Sequence, residues 1–220
     1  MNVSAGNSSP NSRRPFSSWT LAKVKALPPL PSSFYLEKTA TVAKLLLGKG
    51  LFLSKQGRSF LLQIIEVEAY LGAEDPASHA FKGPTPRNLS MFKSGGTCYV
   101  YLCYGLNFCM NVVTGVEGKG SAVLIRGAIP ILGLKSMAKN RHLSSPLPAK
   151  ETKKLLSGPG KLTQALGINR SFDGLRFDQS TFKIVDLGVR IPKHQIGISP
   201  RIGISKGMQE NLRFYIRPLS

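Results

Sequence analysis

The residues Glu66-Val67-Glu68-Ala69-Tyr70 close an apolar run that begins near Arg58. If the run is a strand, its side chains alternate between faces, so Glu66, Glu68 and Tyr70 share one face, while Ile65, Val67 and Ala69 suit a core on the other. Acids on an otherwise buried strand are costly unless they are paired or put to use. Spacing alone leaves two readings open, a solvated strand face or a working carboxylate. Carboxylates two residues apart could stand at the roughly 6.5–9.5 Å of an inverting sugar hydrolase. A formal charge of +19 argues against a neutral polysaccharide as the substrate.

A second group is aromatic. Tyr99 and Tyr101 alternate onto one face of a strand-like run and could be core tyrosines. Tyr104 falls beside the turn Gly105-Leu106-Asn107, where a large ring tends to be exposed. In a basic protein an exposed ring can stack on or between bases. Arg126 ends the apolar run Ala122–Arg126, and acids are so few that Glu66 or Glu68 is its natural partner. Gly158-Pro159-Gly160-Lys161 offers free N–H groups and a cation at a helix start, a seat for phosphate. His79 lies in a loop, and neither His142 nor His194 has a metal-ligand spacing to it. No glycine-rich nucleotide fingerprint follows a strand. Cys98, Cys103 and Cys109 are too widely spaced for a zinc motif and too few for a disulfide framework. Cys109 has no activating base nearby in the sequence, which argues against a nucleophilic role.

The elements that must position these residues belong to a 220-residue chain, enough for one domain with a full core. Its 30 basic residues against 11 acidic ones favour a polyanionic partner, nucleic acid or an anionic membrane surface. No apolar run approaches the ~18 residues of a membrane span, and the N-terminus has no signal-peptide core. Residues 1–34 hold no acid, eight serines and four of the basic residues, and end in a proline cluster. That composition predicts a disordered basic tail or, alternatively, an organelle transit peptide. The rest of the chain still carries +15.

The globular part, 35–220, predicts a helix over 38–47 and a strand over 58–70. A loop over 71–96 follows, long enough to suggest function. Strands over 97–104 and 108–113 form a hairpin, and 121–126 a further strand. Pro130 is expected to open a helix over 131–140, because proline suits a first helical position. A short helix ends near Leu156, another runs from Gly158–Lys161 to Gly167, and 212–217 is the clearest late strand. Strands and helices mix without a βαβ rhythm, which predicts an α+β fold with a mostly antiparallel sheet.

Several blocks, in order and at matching intervals, resemble the alkyladenine (3-methyladenine) DNA glycosylases. They are EVEAYLG (66–72), SHA (78–80), TPRN (85–88), YVYLCYGLNFCMN (99–111), AVLIR (122–126) and SGPGKLTQALGI (157–168). The resemblance runs from about Phe34 to Arg217. It implies a single curved-sheet domain with surrounding helices and a protruding hairpin that inserts into DNA. It implies Glu68 as the general base that activates a water, with Arg126 helping to hold both. Tyr70, His79 and Tyr101 would wall the pocket of the extruded base. Leu124 would line that pocket, and Asn111 would discriminate against the 2-amino group of guanine. Tyr104 would be the wedge in the minor groove, and Arg87 and Lys161 contacts to the DNA backbone. Leu106 and Asn107 depart from the bulkier residues of the mammalian form.

The implied activity is a monofunctional one. An enzyme of this kind would flip a damaged purine from duplex DNA and hydrolyse its N-glycosidic bond, as a monomer without cofactor or metal. The expected place of action is the cytoplasm or nucleoid, or an organelle or nucleus if the tail is a targeting segment. Two alternatives stay open: a non-catalytic nucleic-acid-binding module sharing the fold, and a lyase with Lys161 as amine nucleophile. A pure binder has no use for a carboxylate facing phosphate, so Glu68 separates the first from the enzyme.

Overall fold

The computed structural model describes residues 19–218. Its centre is the 13-residue strand β2 (Arg58–Tyr70), which follows the helices α1 (Leu21–Ala26) and α2 (Thr39–Leu46) and strand β1 (Gly50–Lys55). The hairpin β3 (Cys98–Cys103) and β4 (Asn107–Thr114) comes next, then the long β5 (Ser121–Leu132). Helices α3 (Leu134–Asn140), α4 (Ala149–Lys154) and α5 (Pro159–Leu166) precede four short strands. These are β6 (Asp178–Gln179), β7 (Phe182–Val185), β8 (Ile196–Ser199) and β9 (Arg213–Ile216). The strands join in the order β3-β4-β5-β2-β1-β7-β6, and β9, carrying β8, also pairs with β2. Every pairing is antiparallel, so the architecture is the expected α+β domain with a curled antiparallel sheet.

Two register shifts decide which way β2 faces. Ile64 pairs with Ala128 but Glu66 with Gly127, which leaves Ile65 as an extra residue on β2. Val67 then pairs with Ile125, which leaves Arg126 as an extra residue on β5. Each bulge flips the alternation of its strand. Before the shift, Phe60, Leu62 and Ile64 face the main core; after it, Val67 and Ala69 do. The expected face for Glu66, Glu68 and Tyr70 is therefore right, but Ile64 replaces Ile65 in the core, and Ile65 is only half-buried. Helix α2 covers the core face with Val42, Ala43 and Leu46, and α5 adds Leu162, Ala165 and Leu166.

Two other expectations change. Pro130 does not open a helix: β5 runs through it to Leu132, and the next helix starts after Gly133, which takes the left-handed conformation. Pro130 pairs with Leu62 beside a further register shift, the kind of site where a strand tolerates proline's missing N–H. The second change concerns residues 19–34, which were expected to belong to a disordered tail. Helix α1 buries Val24 completely in a cluster with Phe52, Leu61, Val185 and Leu187. The ammonium of Lys183, on a residue only 4% exposed, donates to the carbonyls of Lys25 (3.0 Å) and Leu27 (2.6 Å). Six helical residues would not hold alone; this cluster and these bonds hold them. The remainder of the expected tail, residues 1–18, lies outside the described residues.

Candidate active site

The face of the sheet opposite the main core carries an unbroken row of cross-strand partners. Tyr99 on β3 pairs with Asn111 on β4, Asn111 with Leu124 on β5, and Leu124 with Glu68 on β2. Glu68 pairs with Arg213 on β9, and Arg213 with Ser199 on β8. Partners in register point to the same side. One row thus unites three of the expected site residues, from the hairpin to the far strand.

Glu68 has no exposed surface, yet both its oxygens are occupied. Oε1 accepts from the Ile202 N–H (2.8 Å) and lies 3.4 Å from Arg126 Nε, and Oε2 accepts from the Tyr70 hydroxyl (3.0 Å). Burial raises the pKa of Glu68, while Arg126, the Ile202 N–H and the Tyr70 hydroxyl pull it back, and Glu66 pushes it up again. Arg126 is the bulge residue, so its side chain turns to the carboxylate face and its Nε also donates to Glu66 Oε1 (3.1 Å). Arg213 donates to the same Glu66 oxygen (2.7 Å). Glu66 thus carries two arginines, and Arg126 is shared with Glu68.

Above this layer lies a cleft of about 420 Å³, lined by Tyr70, His79, Tyr99, Tyr101 and Asn111 and by residues 203–206. His79 Nδ1 shares a 2.9 Å hydrogen bond with the Tyr99 hydroxyl, and the His79 ring meets Tyr101 edge-on at 4.5 Å. Burial and then the Arg87 charge lower the pKa of His79, which favours a neutral imidazole. Asn111 Nδ2 donates to the Tyr99 carbonyl (3.0 Å), so its donor is engaged at the cleft wall. Glu68, Arg126 and Leu124 do not line the cleft. Leu124 lies in register between Asn111 and Glu68, and Tyr70 both lines the cleft and donates to the carboxylate.

Tyr104 and Leu106, at the hairpin turn, are 84% and 81% exposed, the two most exposed large apolar side chains described. Tyr104 also borders the cleft and has φ +51°, a conformation that few non-glycine residues adopt. Arg87 lies 5.8 Å from the Tyr101 ring centroid and donates to the Leu102 carbonyl (3.0 Å). Lys161 sits exposed in the first turn of α5, away from the lining of the cleft. That helix docks against the turn end of the hairpin, where β4 begins: Thr163 donates to the Phe108 carbonyl (2.7 Å), and a Cβ at Gly160 would meet Asn107 at 2.8 Å. Burial pushes the Cys109 thiol up to about 12, which leaves it protonated and unsuited to nucleophilic attack.

Sequence reasoning missed the contributions of the β8–β9 connection. Ile202 supplies a donor to Glu68, and Arg201 forms a bidentate pair with Asp75 in which neither side chain is exposed. Asp75 offered one signal, as one of only 11 acids, set in a Gly- and Pro-rich loop. Nothing in the spacing tied it to an arginine 126 positions away.

An aromatic cleft beside a buried carboxylate, in a chain of +19, suits an enzyme that works on single bases of nucleic acid. A model of the methylpurine-DNA glycosylase family matches residues 33–219. A Methanoculleus marisnigri protein provisionally named a 3-methyladenine DNA glycosylase is 43% identical over 195 residues, covering 86% of this chain and 95% of its own. Proteins of the same name from Rhodopseudomonas palustris and Chlorobium phaeovibrioides are 40% and 39% identical, covering 89% and 85% of this chain and 91% and 92% of theirs. The chain belongs to the methylpurine-DNA glycosylase family. It is a DNA glycosylase of base-excision repair, which removes the alternative of a non-catalytic binder. Among the described residues no helix is long and apolar enough to cross a membrane, and no cluster of His, Cys, Asp and Glu could hold a metal ion.

Proposed function

We propose that the enzyme takes alkylated and other damaged purines from duplex DNA into the aromatic cleft and hydrolyses their N-glycosidic bond with a water activated by Glu68. The observation that carries this reading is Glu68 itself, a carboxylate without exposure held by three donors beside the cleft's Tyr70 wall. Its raised pKa makes it a stronger base than a surface carboxylate. The water oxygen attacks C1′ of the sugar, its proton passes to Glu68, and the glycosidic electron pair leaves with the base through an oxocarbenium-like state. A purine alkylated at N3 or N7 is already cationic and departs neutral, so no general acid is required. Arg126 keeps Glu68 and the water in place. Tyr70, His79 and Tyr101 receive the flipped ring, and a cationic ring gains ~0.5–2 kcal/mol from their π-faces. Asn111 screens the purine edge, and Leu124 packs beneath it.

Tyr104 fills the gap left in the duplex, and Arg87 and Lys161 hold phosphates on either side of the hairpin. The enzyme acts as a single chain. It works on the DNA of the cytoplasm or nucleoid, or of an organelle or nucleus if the N-terminal segment is a targeting sequence. Purified protein incubated with methylated duplex DNA should release free 3-methyladenine, detected by chromatography, and leave an abasic site. Release of no base would refute the reading. A borohydride-trapped protein–DNA adduct would point instead to an amine nucleophile such as Lys161.

A further inference from the structure

The β8–β9 connection crosses the site at one buried point. Arg201 NH2 donates to Asp75 Oδ1 at 2.8 Å, and NH1 donates to Asp75 Oδ2 and to the Ala69 carbonyl (3.0 Å). The guanidinium lies 4.8 Å from the centroid of the Tyr70 ring. Asp75 accepts in turn from the N–H groups of Leu71 (3.1 Å) and Ala77 (3.0 Å), in the loop that leads to His79. Burial works to raise the pKa of Asp75, but these donors and Arg201 outweigh it and hold the carboxyl below the usual range. The residue after Arg201 is Ile202, whose N–H is the backbone donor to Glu68. The pair therefore touches the strand carrying the carboxylate, the ring beside it and the loop of a second cleft wall.

We propose that Arg201 and Asp75 are positioning residues of the excision reaction, a buried ion pair that holds the Ile202 amide on Glu68 and the Tyr70 ring at the cleft wall. The inference rests on Glu68 being the general base. Neither side chain has exposed surface, so neither serves as a contact to DNA phosphate. The groups facing Glu68 are Glu66 and Tyr70 from β2, Arg126 from β5, Arg213 in register on β9, and the Ile202 amide. Cys109 on β4 feels the same Arg126 but stays protonated. Of the donors to Glu68, the Ile202 amide is the one from outside the central sheet, and Arg201 is its anchor. A guanidinium fork fits this place because it meets both Asp75 oxygens and a carbonyl at once, which an ammonium cannot.

Arg201→Lys and Asp75→Asn should lower the single-turnover excision rate roughly 10-fold or more, since misplacing a reacting group by ~1 Å can cost ~10²-fold. The acid limb of the rate–pH profile should also move to higher pH, because Glu68 without the Ile202 donor is protonated more readily. Affinity for undamaged duplex should stay within about twofold, as expected of groups that touch no phosphate. Breaking one side of a buried pair can unfold a domain. A second variant, with the Ile202 amide replaced by an ester, removes that one N–H and leaves the ion pair intact; its acid limb should move the same way. An unmoved acid limb in the ester variant, or in folded Arg201→Lys and Asp75→Asn proteins, would overturn the proposal. Glu68→Gln, measured alongside, separates the two levels: if it still turns over at the wild-type rate, the general-base reading itself has failed.

Discussion

Glu68→Gln is the substitution on which the chemistry turns. The amide is nearly isosteric. Its oxygen can keep the Ile202 N–H at 2.8 Å, and its NH₂ can donate to the Tyr70 hydroxyl now 3.0 Å away once that hydroxyl rotates. Arg126 loses one acid but keeps Glu66 at 3.1 Å. Every bond of the site can therefore be remade while the base is gone. A positioned general base contributes ~10²–10⁴-fold, so single-turnover excision should fall by about that factor. Stability should move the other way or hardly at all. Because burial raises the folded-state pKa of Glu68, its effect on stability is most favourable below the unfolded pKa and is lost as pH rises through the folded value. At neutral pH the wild-type carboxylate is thus a cost that glutamine avoids. The melting temperature should stay within the roughly 2–4 °C that 1 kcal/mol represents for a domain of this size. Binding to abasic duplex should be equal or tighter, with one negative charge fewer near phosphate. The assay is release of base from a single-lesion duplex under enzyme excess, with calorimetry on the same preparation. Turnover within threefold of wild type would refute the general-base argument, and a collapse in melting temperature would refute the account of the site's bonding.

Tyr70→Phe keeps the ring but removes a donor to Glu68, so the acid limb of excision should rise in pH, read from single-turnover profiles of the two proteins. Tyr104→Ala should weaken binding to an abasic product by the ~1–3 kcal/mol of a stacking ring and spare undamaged duplex, which titration of both DNAs would check. Asn111→Ser should raise excision of mispaired guanine relative to hypoxanthine, because it clears the purine edge; an unchanged ratio of single-turnover rates would end the gatekeeper role. It should also destabilise the fold by ~1–3 kcal/mol in denaturant unfolding, because the Tyr99 carbonyl loses its buried donor. Deleting residues 1–18 should flatten the salt dependence of nonspecific DNA binding and spare both excision and stability. Deleting 1–34 should lower the melting temperature as well, since Phe52, Leu61, Val185 and Leu187 lose Val24 and Lys183 loses the carbonyls of Lys25 and Leu27.

The strand that carries the candidate base was legible because its two acids stand out in an apolar run, and alternation assigned Glu68 and Tyr70 to one face. Alternation could not reveal the bulge at Ile65, which is why that residue was placed in the core in place of Ile64. The hairpin was legible from its glycine turn. The packing of α1 was not, because Val24 gains its partners from distant strands and the helix is only six residues long. Pro130 misled for a related reason: the neighbouring register shift that accommodates it is a property of two strands, not of one. The aromatic walls and Arg126 came from motifs local in sequence, whereas Arg201 and Asp75 meet only because the chain returns across 126 positions.

The row from Asn111 through Leu124 to Glu68 makes the sheet a caliper. The two ends sit on strands separated by a single intervening strand, a span of about two interstrand spacings of ~4.8 Å, and hydrogen bonds rather than side chains set that spacing. Substitution can change what each jaw grips but cannot widen the gap between them. If Asn111 meets the purine edge and Glu68 serves the bond being cut, as proposed, new specificity in this scaffold must come from the identity of the residue at 111 and its neighbours, while the reach between the two is inherited from the backbone.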